Sequence, residues 1–132
     1  MKTYQELITE MGRGDVNELK SRLPVAIEHL LKLKHMTGRR LTDNRRGWEQ
    51  SLRNQYNELA VHLKRNNAIK TELTPEVLDK AHRAAIAKLT KEYPTVNFPK
   101  GRTLSLEEIV GPGAWEYIKP KPKLKAPPKA KR

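Results

Sequence analysis

The sequence contains no cysteine, few aromatic residues and no apolar run approaching the ~20 residues that span a membrane. The absence of cysteine excludes disulfides, thiolate metal sites and a cysteine nucleophile. The chain also begins without an apolar signal region. We therefore expect a soluble, cytoplasmic protein with no membrane partner, and a length of 132 residues favours one domain with a modest core.

The sequence also lacks the motifs of the common enzyme classes. It has no phosphate-binding glycine loop, nucleophile elbow or zincin signature, and its four histidines show no HxxxH spacing. We predict no catalytic residue, no metal site and no cofactor. A nuclease assembled from Glu28, His29, Arg45 and Glu49 is kept as a third-ranked alternative.

Basic charge is what the sequence has in excess. Lys and Arg number 27 against 15 Asp and Glu, a formal net charge of +12, which favours a polyanionic partner. The last fourteen residues hold seven of the basic residues, four prolines and no acid. Because proline lacks an N–H and restrains its predecessor, this segment is expected to be extended or disordered. The predicted division is a helical domain over 1–114 and a basic tail over 115–132.

A second basic cluster runs from Lys32 to Arg46 and contains a single acid, Asp43. Its two Arg-Arg pairs, at 39–40 and 45–46, fall where the helical pattern lapses, so we predict a loop that leads into a helix. Forked guanidinium groups suit bidentate contacts with phosphates, and each neutralised phosphate releases counterions. No recognition helix with base-contacting residues is evident.

Apolar residues at three- and four-residue intervals predict an all-α fold, a small bundle of three main helices plus short terminal helices. A short first helix is expected to end at Gly12 and Gly14. Apolar periodicity then continues over 16–31, where Pro24 is expected to kink or divide the helix.

The later helices have clearer boundaries. A stripe from Trp48 to Leu63 predicts a helix that closes at 66–67, and its apolar position favours core packing of Trp48 over base stacking. Thr74-Pro75 predicts the next helix start and Tyr93-Pro94 its end. Ser105 is expected to cap one last turn, which Gly111-Pro112-Gly113 ends.

Several short motifs follow one another in a defined order. The stretch Glu18–Lys32 ends in His-Leu-Leu-Lys, and Arg46-Gly47-Trp48 and Ser51–Gln55 follow, with Phe98-Pro99 in the downstream half. In this order, over residues 5–110, the chain resembles a bacterial family, the domain-of-unknown-function family numbered twenty-nine. The resemblance implies a helical bundle and supplies no activity, substrate, cofactor or catalytic residue.

The chain departs from that family in its charge. Family members are commonly more acidic, and the Lys-Pro tail lies outside the family pattern. They also usually begin with an additional helical segment before the position of Thr3. A nucleic-acid role is therefore expected to belong to this protein and not to be inherited from the family.

These observations favour a non-enzymatic protein that binds nucleic acid, DNA or RNA, through its phosphates. Such a protein is expected in the cytoplasm, with the nucleoid as its place of association. The candidate contacts in the folded domain are Arg39, Arg40, Arg45 and Arg46, with Lys32, Lys34 and Arg53 of second rank. The candidate contacts in the tail are Lys119, Lys121, Lys123, Lys125, Lys129, Lys131 and Arg132.

The alternative is a protein-interaction or regulatory module, such as a phage-encoded or toxin–antitoxin-type inhibitor. In that case a groove left by the missing first helix would receive a protein partner. A simpler interpretation also stays open, in which the charge runs only solubilise the chain.

Overall fold

The computed structural model describes residues 4–120, and side chains from residue 14 onward. Within this range the chain forms four α-helices and one 3₁₀ helix, with no strand, which confirms the all-α prediction. The α-helices are α1 (Tyr4–His35), α2 (Gly38–Arg65), α3 (Pro75–Glu92) and α4 (Leu106–Ile118). The 3₁₀ helix Asn67–Glu72 connects α2 to α3. None of these helices is both long and apolar enough to cross a bilayer.

Helix α1 is the central element, because α2, α3 and α4 all pack against it. Its apolar residues Leu19, Leu23, Ile27 and Leu31 follow at intervals of four and are fully buried. Since neighbours cover more than one side of α1, the face that carries Glu28 and Lys32 is buried as well. The position of α1 therefore decides which charged side chains remain at the surface.

Helix α1 is also longer than predicted. It runs without interruption through Gly12, Gly14 and Pro24, so the predicted separate first helix and the predicted division at Pro24 are both wrong. An interior proline costs a helix ~3 kcal/mol. Burial of the four large side chains that flank Pro24 contributes ~2 kcal/mol each, so the packing outweighs the local penalty.

The predicted loop at Arg39–Arg46 is also wrong, because these residues form the first turns of α2. Only Met36 and Thr37 separate α1 from α2, and the left-handed backbone of Gly38 (φ 65°) starts the new helix. Residues 42–47 are all exposed. The half-buried Leu41 and the buried Trp48 hold this segment to the core at its two ends, and no apolar residue lies between them, so the apolar spacing of three or four residues lapses here.

The predicted end of α2, both ends of α3 and the start of α4 are confirmed. Asn66 follows the last residue of α2, and Tyr93 follows the last residue of α3. The Thr74 hydroxyl accepts a hydrogen bond from the Val77 amide at 3.2 Å. Ser105 and Glu108 form a reciprocal capping box at the start of α4.

Helix α4 is interrupted at Gly111 but does not end there. Gly111 has a non-helical backbone (φ 86°, ψ 166°), and a second helical segment follows it to Ile118, so the prediction of a single turn is wrong. The Tyr56 hydroxyl of α2 donates to the Glu108 carbonyl at 2.8 Å just before the break. Contact with α2 therefore continues along α4, and the predicted division of the chain at residue 114 stays a prediction.

Candidate nucleic-acid interface

The N-terminal part of α2 is largely exposed. Residues 42–47 are all exposed, whereas Leu41 is half-buried and Trp48 is buried. Leu41 and Trp48 lie seven residues apart on one face and pack on the core, so α2 contacts the bundle along that face and exposes its other sides. Side chains here can approach a partner from several sides of the helix.

Three arginines of α2 lie on one line. Arg39, Arg46 and Arg53 are seven residues apart and all are exposed. Seven residues amount to nearly two helical turns, so the three side chains share a face at intervals of about 10.5 Å. We call these three residues the arginine row. The row runs along the side of α2 opposite the buried residues Trp48 and Leu52.

The other two predicted arginines leave α2 in different directions. The guanidinium carbon of Arg40 lies 5.5 Å from the centroid of the Tyr93 ring, at the end of α3, in cation–π geometry. Arg45 Nε lies 3.6 Å from Glu49 Oε2, in an exposed pair of the kind that contributes little to stability. Both residues flank the arginine row and remain exposed.

The start of α2 concentrates positive charge. Its first turn contains Arg39 and Arg40 and no acid, and the Thr37 side chain makes no capping hydrogen bond. The positive end of the helix dipole therefore adds to two cationic side chains and is not neutralised locally. A cleft of about 430 Å³ opens beside these arginines, between the start of α2 and the loop that holds Thr95 and Val96.

Lys32 does not belong to this surface, and its selection as a contact residue is corrected. Its side chain lies under Trp48, with Nζ 5.1 Å from the ring centroid, and the residue is only 8% exposed. Burial lowers the pKa of Lys32, and the carboxylates of Glu28 and Glu92 oppose part of that effect. The sequence shows a lysine in a basic run, and only the packing of α1 shows that it is covered.

Two other lysines predicted as contacts lie within the described residues, and each pairs with an acid. Lys34 Nζ lies 2.7 Å from Glu108 Oε2, a contact that joins α1 to α4, and its hydrogen bond is the main cause of a lowered pKa of Glu108. Lys119 Nζ lies 3.0 Å from Glu116 Oε1. Both pairs are exposed, so an anionic partner can compete for the lysines at small cost. The other predicted tail contacts lie outside the described residues: Lys121, Lys123, Lys125, Lys129, Lys131 and Arg132.

Sequence reasoning overlooked the amide side chains of α2. Gln50 and Asn57 are exposed and follow the same face as Arg46 and Arg53, at steps of four and three residues. Gln50, Arg53 and Asn57 lie within the helix predicted from Trp48, so the sequence contained this signal. Because α2 also covers the predicted loop, Arg46 joins them on one side of the helix.

The residues of the proposed nuclease are engaged in separate contacts. Glu28 pairs with Lys88 (Nζ–Oε1 3.2 Å), and Arg45 pairs with Glu49. Burial, together with the charges of Lys32 and Lys88, lowers the pKa of His29 to about 4, and its Nδ1 is buried without a hydrogen-bond partner. Among the side chains of residues 14–120, no three His, Asp or Glu groups lie together so as to hold a metal ion.

One of three comparisons with known proteins gave a match, and that match covers almost the whole described chain. A family model described as "Domain of unknown function DUF29" matches residues 2–115. No curated protein and no solved structure matches the chain. The match covers the motif residues His29 to Lys32 and Trp48, of which Lys32 and Trp48 stack on each other in the structure.

Proposed function

Because the chain belongs to the DUF29 family, whose description names no activity, its function has to be argued from its own surface, and we propose that it binds nucleic acid through phosphate contacts of helix α2. The observation that carries this proposal is the exposed, arginine-rich start of α2. Residues 38–53 contain five arginines, no lysine and two acids, Asp43 and Glu49.

The choice of arginine supports a specific anionic partner over simple solubilisation. Lysines outnumber arginines in the whole chain, yet every basic residue of 38–53 is an arginine. A guanidinium group binds phosphate through two parallel N–H donors, whereas an ammonium group acts as a point charge. A surface that only had to stay in solution would gain as much from lysine.

The tail supplies the second part of the proposal. Helix α4 ends at Ile118, and the basic residues from Lys119 onward follow it directly. We propose that these residues act as an electrostatic arm, which adds further phosphate contacts and slows dissociation. Lys119, the first of them, is exposed.

The test is the salt dependence of binding by the full chain to labelled oligonucleotides, measured by fluorescence anisotropy. On duplex DNA each phosphate contact contributes about −0.9 to the slope of log affinity against log salt concentration. Replacing the three arginines of α2 that lie outside the Arg46–Arg53 face by glutamine (Arg39→Gln, Arg40→Gln, Arg45→Gln) is therefore expected to reduce the magnitude of the slope by about 2.7.

The matched control removes the same charge elsewhere. Lys80, Arg83 and Lys91 are exposed on α3, and their triple replacement by glutamine is expected to leave the slope nearly unchanged. A wild-type affinity that is flat against salt would contradict phosphate binding. Equal losses in the two triple variants would show that only net charge matters, and would contradict the assignment to α2.

One observation favours the alternative, a protein-interaction module. An apolar cleft of about 250 Å³ lies between α1 and α3, lined by Pro24, Val77, Ala81 and Ala84 among others. This volume is below the ~300–1,000 Å³ of ordinary ligand pockets, so the cleft suits at most one or two side chains of a partner. The arginine-rich start of α2 is the larger feature, and nucleic-acid binding stands first.

A further inference from the structure

We infer that α2 is a recognition helix for double-stranded DNA, which enters the major groove and contacts base edges through Arg46, Gln50, Arg53 and Asn57. We call these four residues the recognition face. The inference rests on the proposed function and names its substrate class. It depends on α2 being helical from Arg46 to Asn57, because the four residues then align on one side.

The recognition face is a continuous line of exposed side chains. Its members follow at steps of four, three and four residues, which places them on one side of an α-helix. All four are exposed. Two other amides of α2 make hydrogen bonds within the protein: Gln55 accepts one from Arg22, and Asn44 donates one to the Arg40 carbonyl.

The residue types on this face match the chemistry of base edges. An arginine donates two hydrogen bonds to O6 and N7 of guanine, and an asparagine or glutamine pairs with N6 and N7 of adenine. Two arginines alternate here with two amides, and no acid interrupts the line. Contacts with phosphates alone would need the arginines but not Gln50 and Asn57.

The shape of α2 also suits the major groove. That groove is ~12 Å wide, and an α-helix with its side chains measures ~10–12 Å across. A helix can enter only where its own protein does not obstruct it, and the recognition face lies opposite the buried residues Trp48 and Leu52, next to the exposed residues 42–47. The space beside Gly47 is open as well, since an added Cβ would meet nothing within 4 Å.

The length of the recognition face corresponds to a short site. Arg46 and Asn57 are eleven residues apart, or about 16.5 Å along the helix axis. Base pairs follow every 3.4 Å, so the face spans on the order of five base pairs. Arg40 and Arg45 leave the helix on other sides, where they can contact the phosphates that border the groove.

Duplex DNA fits these observations better than RNA or single strands. The major groove of duplex RNA is too deep and narrow for side chains to reach its bases. Single strands are bound largely by stacking on exposed aromatic rings. The two aromatic residues of α2 do not supply such rings, because Trp48 is buried and Tyr56 is half-buried with its hydroxyl bound to Glu108.

The experiment is a selection of binding sites from a duplex DNA library with a randomised centre, with the full chain as bait. The expected result is an enriched site of about five base pairs that contains guanine and adenine. The ratio of affinities for the enriched and a scrambled duplex is then measured for the variant Gln50→Ala/Asn57→Ala. Each amide is expected to account for about a tenfold or larger part of this ratio, while the salt slope stays unchanged.

The matched control is Asn17→Ala/Asn97→Ala, which removes two exposed amides away from α2 and is expected to keep the ratio. Circular dichroism checks that both double variants remain helical. No enriched site, a ratio unaffected by Gln50→Ala/Asn57→Ala, or equal binding to single strands or duplex RNA would each overturn the inference. In those cases a steep salt slope would still support phosphate binding, whereas loss of binding to every polyanion would overturn both proposals.

Discussion

Replacement of Gly111 by alanine is expected to destabilise the fold strongly. The backbone of Gly111 (φ 86°, ψ 166°) lies in a region almost reserved for glycine, where another residue costs ~1–3 kcal/mol. An added Cβ would also lie 2.6 Å from Cδ1 and 2.7 Å from Cδ2 of Tyr56. The ring resists displacement because its hydroxyl donates to the Glu108 carbonyl at 2.8 Å. Overpacking of this kind adds ~1–3 kcal/mol, so we expect a loss of about 4 kcal/mol.

The measurement is urea unfolding followed by far-UV circular dichroism, at a fixed pH and salt concentration. Gly113→Ala is the control, because a Cβ at this position meets only the Ala60 Cβ at 3.6 Å and the backbone is not left-handed. Alanine there is expected to be neutral or to stabilise by up to ~1 kcal/mol.

A double-mutant cycle separates the two causes of the Gly111 effect. In a Tyr56→Ala background the clash is absent, so Gly111→Ala is expected to cost only the backbone part, ~1–3 kcal/mol. A loss below ~1 kcal/mol for Gly111→Ala in the native background, or equal effects at Gly111 and Gly113, would refute the reasoning.

Two further predictions concern single side chains. Burial, with the charges of Lys32 and Lys88, holds the pKa of His29 at about 4 against an ordinary 6.5. Between these values the unfolded chain binds more protons, so the free energy of unfolding falls as the pH drops from 6.5 toward 4. The ring is partly exposed, so solvent screening reduces the effect. Between about pH 7 and about pH 4, the free energy of unfolding in urea is expected to fall by ~1–2 kcal/mol less in His29→Asn than in the native chain. Equal falls in the two proteins would contradict this prediction. Thr74→Ala removes the hydroxyl that accepts a hydrogen bond from the Val77 amide. It is expected to lower the free energy of unfolding by ~1 kcal/mol, which thermal unfolding detects as a lower midpoint temperature. Thr74→Ser retains the hydroxyl and is the control. An alanine variant as stable as the serine variant would show that the cap is not needed.

The start of α3 and the capping box of α4 could be predicted because they depend on neighbours in the sequence. The Thr74 hydroxyl and the Ser105–Glu108 box reach amides three residues away, within one helical turn. The apolar stripe that starts at Trp48 likewise repeats within its own helix. Family membership could be predicted for the same reason, since the resemblance to DUF29 rests on short motifs in a fixed order.

The errors fall where distant residues outweigh local preference. Pro24 and the two glycines before it disfavour a continuous helix, yet α1 continues through them because three other helices pack around it. Lys32 belongs to a basic run in the sequence, but Trp48 and α3 cover it in the fold. No local pattern reports which neighbours a residue will meet.

The candidate nucleic-acid interface depends both on local sequence and on contacts with distant residues. Composition and spacing are local properties, so the helical class, the capped boundaries and the excess of arginine over acid at residues 38–53 follow from the sequence alone. The helical structure of residues 39–46 depends on tertiary contacts, because Leu41 and Trp48 hold this segment to the core while the exposed residues 42–47 between them give no apolar signal. The helix aligns Arg39, Arg46 and Arg53 along a single face of α2, and Trp48 on its opposite face covers Lys32.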